Sequence, residues 1–221
     1  MLKFKIAELE RYAEDAEVCI NNAPMGNVPE HYYDIEESVR ILEDLLMFQY
    51  NNNKVRITTV LQTIFSILNR ANGKQNTIVC ISEPSNGKNF FYDPILHFCL
   101  SVGYIANFNK YVRFLLQDYA GKRILCWNEP NCEPGAWDTI KMIFGGDTCP
   151  VRVKYMDDQQ VTKTPVVVLS NRDIFPKEEA LNCRIFRQQW RPCSALRSYD
   201  KKPHPLAVPK LFRKYKCLPP K

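Results

Sequence analysis

The sequence has little with which to hold a structural metal, and nothing with which to cross a bilayer as a helix. It contains three histidines and no C-x-x-C pair; its nine cysteines, at positions 19, 80, 99, 126, 132, 149, 183, 193 and 217, stand singly. No structural zinc and no disulfide framework are therefore expected. The thiols read as small buried groups in a reducing compartment. No run approaches the roughly 20 apolar residues that a spanning helix needs. The opening MLKFKIAELERYAEDAE lacks the apolar centre of a signal peptide. No internal repeat is present. These absences lead to the expectation of a soluble, intracellular protein without a membrane partner.

What is present suffices for a core. The 221 residues, 45% of them hydrophobic, allow one good-sized domain or a small one plus a larger one. Charge is unevenly placed. Residues 1–45 hold eleven acids and four bases, whereas residues 184–221 hold eleven bases and one acid, Asp200. Such a basic end suits phosphate or nucleic acid, or is a solvated tail that keeps the chain soluble.

Periodicity divides the chain. Residues 1–20 carry Leu2, Ile6, Leu9, Ala13 and Ala16 at helical spacing, and further amphipathic helices are predicted over about 34–49 and 58–69. Residues 1–70 thus form a small helical bundle. After Gly73, short apolar runs bounded by turns predict buried strands at 77–82, 123–127, 164–170 and 184–190. Helices are expected over 87–102 and 134–144, and 150–156 alternates like a hairpin arm. Strands alternating with helices imply an α/β domain over 71–191 with a mainly parallel sheet and its chemistry at the strand ends. Six prolines and many bases from Pro192 onward predict an extended, poorly packed tail over 192–221.

The segment SEPSNGKN, formed by Ser82, Glu83, Pro84, Ser85, Asn86, Gly87, Lys88 and Asn89, lies between a strand pattern and a helix pattern. That is the setting of a phosphate-binding loop, whose backbone N–H groups and helix N-terminus surround phosphates while the lysine meets the β- and γ-phosphates. It departs from G-x-x-x-x-G-K-[ST] at Ser82 and Asn89. Asn89 can still offer a carbonyl oxygen to Mg²⁺, and Ser82 requires a backbone that avoids positive φ. A plain surface turn has the same composition.

Two strand tips follow at intervals of about 40 residues. The strand RILCW runs into Asn128 and Glu129, and a carboxylate there can hold Mg²⁺ and polarise an attacking water. The strand TPVVVLS ends at Asn171, whose amide can hydrogen-bond a γ-phosphate or its water.

In this order the motifs resemble those of superfamily 3 helicases of small DNA viruses, and within them the large nonstructural replication proteins of parvoviruses, the arthropod densoviruses above all. The resemblance covers residues 75–190. SEPSNGKNFF is similar to a Walker A segment, and FLLQDYAGKRILCWNEPN to the segment with Walker B, where Asn128 replaces one of two usual acids. GGDTCPVRVKYMDDQQVTKTPVVVLSN resembles the stretch from the pore hairpin to the following strand-end asparagine, and LNCRIFRQQW resembles the arginine-finger segment.

The resemblance implies a P-loop AAA+ motor that assembles as a ring, usually a hexamer, with ATP and Mg²⁺ between subunits. Lys88, Asn89, Glu129 and Asn171 would come from one subunit and Arg184 from its neighbour, Asn89 and Glu129 being the metal ligands. The hairpin would grip single-stranded DNA through Lys154, with Arg152 and Lys163 behind it, and residues 1–70 would be the oligomerisation collar. The location implied is the host nucleus. Neither the metal-binding histidine pair nor the tyrosine motif of the family's nicking domain is found, so a motor fragment or a product lacking that domain is expected. The function implied is an ATP-dependent DNA helicase for viral replication. The alternative, motivated by Ser82, Asn89 and Asn128, is a catalytically impaired nucleic-acid-binding or assembly module derived from such a helicase. A small-molecule P-loop kinase would leave the hairpin and the arginine segment without a use.

Overall fold

The computed structural model describes residues 3–15, 28–84, 86–107, 119–151, 159–161 and 163–219. Helices α1 (Ile6–Asp15), α2 (Val28–His31), α3 (Ile35–Gln49) and α4 (Lys54–Leu68) come first. An α/β region follows, with β1 (Thr77–Ile81), α5 (Lys88–Phe98), β2 (Val102–Tyr104), β3 (Ile124–Asn128) and α6 (Trp137–Gly145). It continues with β4 (Cys149–Val151), β5 (Gln159–Val161), β6 (Val166–Ser170), α7 (Glu179–Asn182) and β7 (Ile185–Gln189), and α8 (Ala207–Lys214) closes the chain.

Local chemistry sets the helix starts. The Asp34 carboxylate accepts the Glu37 N–H at 2.8 Å and caps α3. The Asn53 side chain accepts the Arg56 N–H at 3.0 Å, so α4 begins at Lys54, four residues before the start predicted from apolar spacing. Such a cap is worth about 1 kcal/mol. Helix α5 stops at Phe98 rather than near residue 102, and residues 102–104 form β2, too short to leave a pattern in the sequence.

The five-stranded sheet has the order β2-β3-β6-β1-β7, and every adjacent pair is parallel. Side chains alternate between its two faces. Ile78, Cys80, Ile124, Cys126, Val167 and Leu169 enter one apolar cluster. Val79, Leu125, Trp127, Val166 and Val168 enter the other, with Ile140 and Phe144 of α6. Burial on both faces accounts for the unbroken apolar runs in the sequence. Trp127 and Trp190 are core residues, as their strand positions predict, whereas Trp137 is half-buried. Strands β4 and β5 pair antiparallel outside this sheet, from Cys149 opposite Val161 to Val151 opposite Gln159.

The division at residues 70 and 191 is not a division of packing. One cluster holds Leu42 of α3, Leu61 of α4, Phe91 of α5 and Phe212 of α8 together with one face of the sheet. Nor is the end of the chain a poorly packed tail. Ala207, Val208, Leu211, Phe212, Tyr215 and Leu218 are all buried. The opposed charges of the two chain ends meet here. Arg213 grips Glu10 through two hydrogen bonds of 2.8 and 2.6 Å, Lys214 and Tyr215 reach Glu43 at 2.5 and 2.8 Å, and Lys210 pairs with Glu36. Much of the basic excess is therefore spent inside the protein.

Leu211→Ala should destabilise the protein by about 2–5 kcal/mol, the range for a buried leucine, and chemical denaturation measures it; a loss near zero would show that α8 is dispensable. Burial pushes the Glu43 carboxyl up, but the Lys214 ammonium and Tyr215 hydroxyl outweigh it and hold its pKa below the ordinary value. Its contribution is therefore complete above its unfolded pKa of about 4.3 and is lost as pH falls through and below that value. Glu43→Gln should lower the urea midpoint at neutral pH and flatten the acid limb of the stability profile.

Candidate functional site

Strand β1 delivers the chain into the loop 82–87, which turns directly into α5. Ser82 continues the sheet, its N–H donating to Ser170 O at 3.0 Å, and it does not lie at positive φ, so serine is unstrained where the usual loop has glycine. Glu83 and Pro84 are exposed, Asn86 is buried, and Ser85 lies outside the described residues. With its amide turned to satisfy both groups, Asn86 accepts from Glu83 N at 3.1 Å and donates to Pro84 O at 3.2 Å, which closes the loop on itself. Gly87 sits at φ +89°, where any Cβ would collide with Leu196 of the C-terminal segment. That position favours glycine by its conformation, and a Cβ there would also require the Leu196 side chain to move aside.

Lys88 opens α5 and is only 6% exposed. Its ammonium donates to Ser82 O at 3.3 Å, to Glu129 Oε1 at 3.0 Å and to Asn171 Oδ1. Glu129 Oε2 in turn accepts the backbone N–H of Asn171 at 3.2 Å. The strand order makes this convergence inevitable, because β6 lies between β3 and β1 and all three run the same way. Lys88, Glu129 and Asn171, read from three separate stretches of sequence, thus form one network at the C-terminal ends of the strands. Glu129 adopts φ +46°, held by its N–H to Leu169 O at 2.8 Å. A non-glycine residue in the left-handed region costs free energy and is characteristic of functional sites; nothing in the sequence announces it.

An open cavity of about 660 Å³ lies over this network, lined by Glu83, Pro84, Glu129, Asn131, Asn171 and Arg172. A smaller cavity of about 180 Å³ runs along the outer face of α5, between Phe90, Asp93 and His97 on one side and Tyr32 and Lys202 on the other. The Tyr32 hydroxyl is buried there with no hydrogen-bond partner among the described residues. Burial raises the Asp93 pKa and lowers that of His97. Sequence reasoning missed this second cavity, because its wall comes from a segment taken for a tail.

The remaining candidates lie elsewhere. Asn89 is exposed on the first turn of α5. Arg184 precedes β7, and its carbonyl accepts from Asn76 N and Thr77 N at 3.2 and 3.1 Å, so it sits at the strand beginnings. Strands of five residues at about 3.3 Å each put it about 16 Å from the Lys88 end of its own sheet. Its guanidinium donates to Ala180 O at 2.5 Å and lies 3.9 Å from Asp147. Lys163 donates to Gly73 O at 2.5 Å, at the same end. Arg152 and Lys154 lie outside the described residues.

With that geometry in place, comparison with known proteins is decisive. The chain matches the family described as "Parvovirus non-structural protein NS1" over residues 35–181. The chain belongs to the parvovirus NS1 family. It is 41% identical over 185 residues to "Initiator protein NS1" of Junonia coenia densovirus, covering 83% of this chain and 34% of that relative. Against the protein of the same description from Bombyx mori densovirus it is 38% identical over 192 residues, covering 83% and 22%. The match therefore spans about a third of the length of one of these NS1 relatives and less than a quarter of the other. Among solved structures it resembles JCV helicase, with a TM-score of 0.61 at 14% identity, covering 96% of this chain and 57% of that one. It thus shares the α/β fold of JCV helicase, a parallel sheet flanked by helices, in line with the fold that the motifs implied.

The donor set of this site can be weighed against the needs of a nucleotide with Mg²⁺. Among the described residues no three His, Cys, Asp or Glu side chains cluster as a metal cage. Mg²⁺ asks for less, one or two carboxylates completed by substrate phosphates and water, and Glu129 with the exposed Asn89 would supply the protein's share. Gly87→Ala should cost more stability than Gly73→Ala. Both glycines have positive φ, worth about 1 kcal/mol, but a Cβ at Gly73 meets nothing within 4 Å. The half-buried Leu196 side chain must in addition shift to admit the Cβ, at the low end of the overpacking range, about 1 kcal/mol. Equal thermal shifts in the two variants would show that the loop does not rest on the C-terminal segment.

Proposed function

We propose that this chain is the ATP-hydrolysing motor region of a DNA helicase that serves viral DNA replication. The observation that carries the reading is the buried Lys88 ammonium, held between Glu129 and Asn171, two residues that line the open cavity of about 660 Å³. On binding, the triphosphate draws Lys88 away from its two protein partners and onto the β- and γ-phosphates. Glu129, released, orients and polarises the attacking water, and Asn171 holds that water or the γ-phosphate by hydrogen bonding. Asn89 and Glu129 would hold Mg²⁺, which when bound would neutralise charge on the phosphates. The cavity beside Phe90, two residues from Lys88, would offer a base the Phe90 ring, the Tyr32 hydroxyl, which has no partner among the described residues, and the polar groups of Asp93, His97 and Lys202.

Arg184 lies too far from its own pocket to act there, which favours action on a neighbouring subunit in a ring, usually a hexamer, assembled with the help of residues 1–70. An arginine offered in trans is worth about 10³–10⁵ in rate. Single-stranded DNA would pass the hairpin that carries Arg152, Lys154 and Lys163, and the work would take place in the host nucleus. The second reading, an impaired binding module, has Asn128 and Asn89 in its favour, but the intact Lys88–Glu129–Asn171 network is not what drift leaves behind.

Mg²⁺-dependent ATP hydrolysis stimulated by single-stranded DNA is expected, with Lys88→Ala and Glu129→Gln each lowering turnover by at least about 100-fold. In a phosphate-release assay, a wild-type chain that binds ATP without turning it over would establish the impaired module instead. Because α8 belongs to the core, DNA binding is to be tested with point variants at Lys154, not by deleting residues 192–221.

A further inference from the structure

We infer that Arg172 is a catalytic residue of its own protomer's pocket, placing its guanidinium on the terminal phosphate of the bound nucleotide. The inference rests on the nucleotide-hydrolysing reading above and adds a residue to it.

Three observations carry it. The first is position. Arg172 follows Asn171 and lines the same cavity as Glu129 and Glu83, where it is the sole cation among the described lining residues. The second is an anchored backbone. Arg172 N donates to Ser170 Oγ at 3.1 Å, and Ser170 Oγ donates to Arg172 O at 2.6 Å. The next residue, Asp173, lies 3.4 Å from Arg187 on β7, and Arg187 also donates to Phe175 O and Pro176 O at 3.3 and 3.2 Å. The turn that presents Arg172 is thus fastened to the sheet on both sides. The third is a guanidinium left over. Among the described residues Arg172 forms no ion pair and no side-chain hydrogen bond, although Glu83 and Glu129 line the same opening. The neighbouring arginine, Arg187, is by contrast engaged by the turn itself.

Hydrolysis moves negative charge onto the oxygens of the terminal phosphoryl group and the leaving group. Lys88, fixed at the helix start, neutralises part of it from below. A guanidinium presented from the strand tip beside Asn171 can bond two phosphate oxygens at once, which an ammonium cannot do. Each protomer would then hold a second cation of its own for the γ-phosphate, beside Lys88, before any neighbour supplies Arg184. Such a residue distinguishes triphosphate from diphosphate, because ADP lacks the group it grips.

The test compares wild type, Arg172→Ala, Arg172→Lys and Lys88→Ala in the full chain. Affinities for Mg-ADP and for a slowly hydrolysed ATP analogue are measured by calorimetry, beside ATP turnover and single-stranded DNA binding without nucleotide. Arg172→Ala should hold ADP within about twofold of wild type, lose at least about 10-fold in affinity for the analogue and about 10²–10³ in turnover. Arg172→Lys should fall between. Analogue affinity and turnover both within about twofold of wild type would overturn the inference. So would equal losses for ADP and the analogue, which would make Arg172 a structural prop, or loss of DNA binding alone, which would assign it to the DNA path. A wild-type chain that binds neither nucleotide sinks the nucleotide reading and this inference with it. If wild type binds and Lys88→Ala does not, that reading stands whatever Arg172 does.

Discussion

A buried ammonium organises this molecule. Lys88 is 6% exposed, and a cation taken out of water must be met by acceptors or it destabilises the fold. Its three acceptors come from the ends of three different strands, Ser82 after β1, Glu129 after β3 and Asn171 after β6. They can meet only if those strands are parallel neighbours with β6 in the middle, and that is the sheet's order. The same three groups that satisfy the lysine in the free protein are those that a triphosphate would release. On the proposed reading, nucleotide binding would exchange this contact for a stronger one, with charged phosphate oxygens in place of a half-exposed carboxylate and an amide.

A second constraint joins the ends of the chain. The acidic N-terminal helices and the basic C-terminal helix α8 close over the same apolar cluster, and the bidentate Arg213–Glu10 pair is its most buried ionic contact, with Glu10 only 6% exposed. Leu196, just upstream, presses on Gly87, so the C-terminal segment also supports the phosphate loop. Core and site are in this sense one structure, since the N-terminal helices share one apolar cluster with the sheet and with α5, the helix that Lys88 opens.

The fold class and most of the site could be read from the sequence because apolar runs end where strands end, and the residues that follow a parallel strand carry the chemistry. Lys88, Glu129 and Asn171 were visible for that reason. Other features were hidden for physical reasons. Strand β2 has three residues and no period. The left-handed backbone of Glu129 depends on a hydrogen bond to Leu169, a partner 40 residues away. Helix α8 did leave a signal, since Val208, Leu211, Phe212 and Tyr215 recur at helical spacing, but prolines and bases around it read more loudly. The charge blocks at the two ends were plain, whereas their mutual pairing is a tertiary fact that composition does not contain. Arg172 stood in the polar triplet after a strand, a context in which one more arginine draws no notice.

The most direct measurement is a crystal structure of the chain with Mg²⁺ and a non-hydrolysable ATP analogue. The expected density has the triphosphate wrapped by residues 82–89, with Lys88 Nζ moved from Glu129 and Asn171 onto phosphate oxygens, and those two side chains facing the γ-phosphate. Analogue bound elsewhere, with the Lys88–Glu129–Asn171 contacts undisturbed, would contradict the assignment of this network as the nucleotide site.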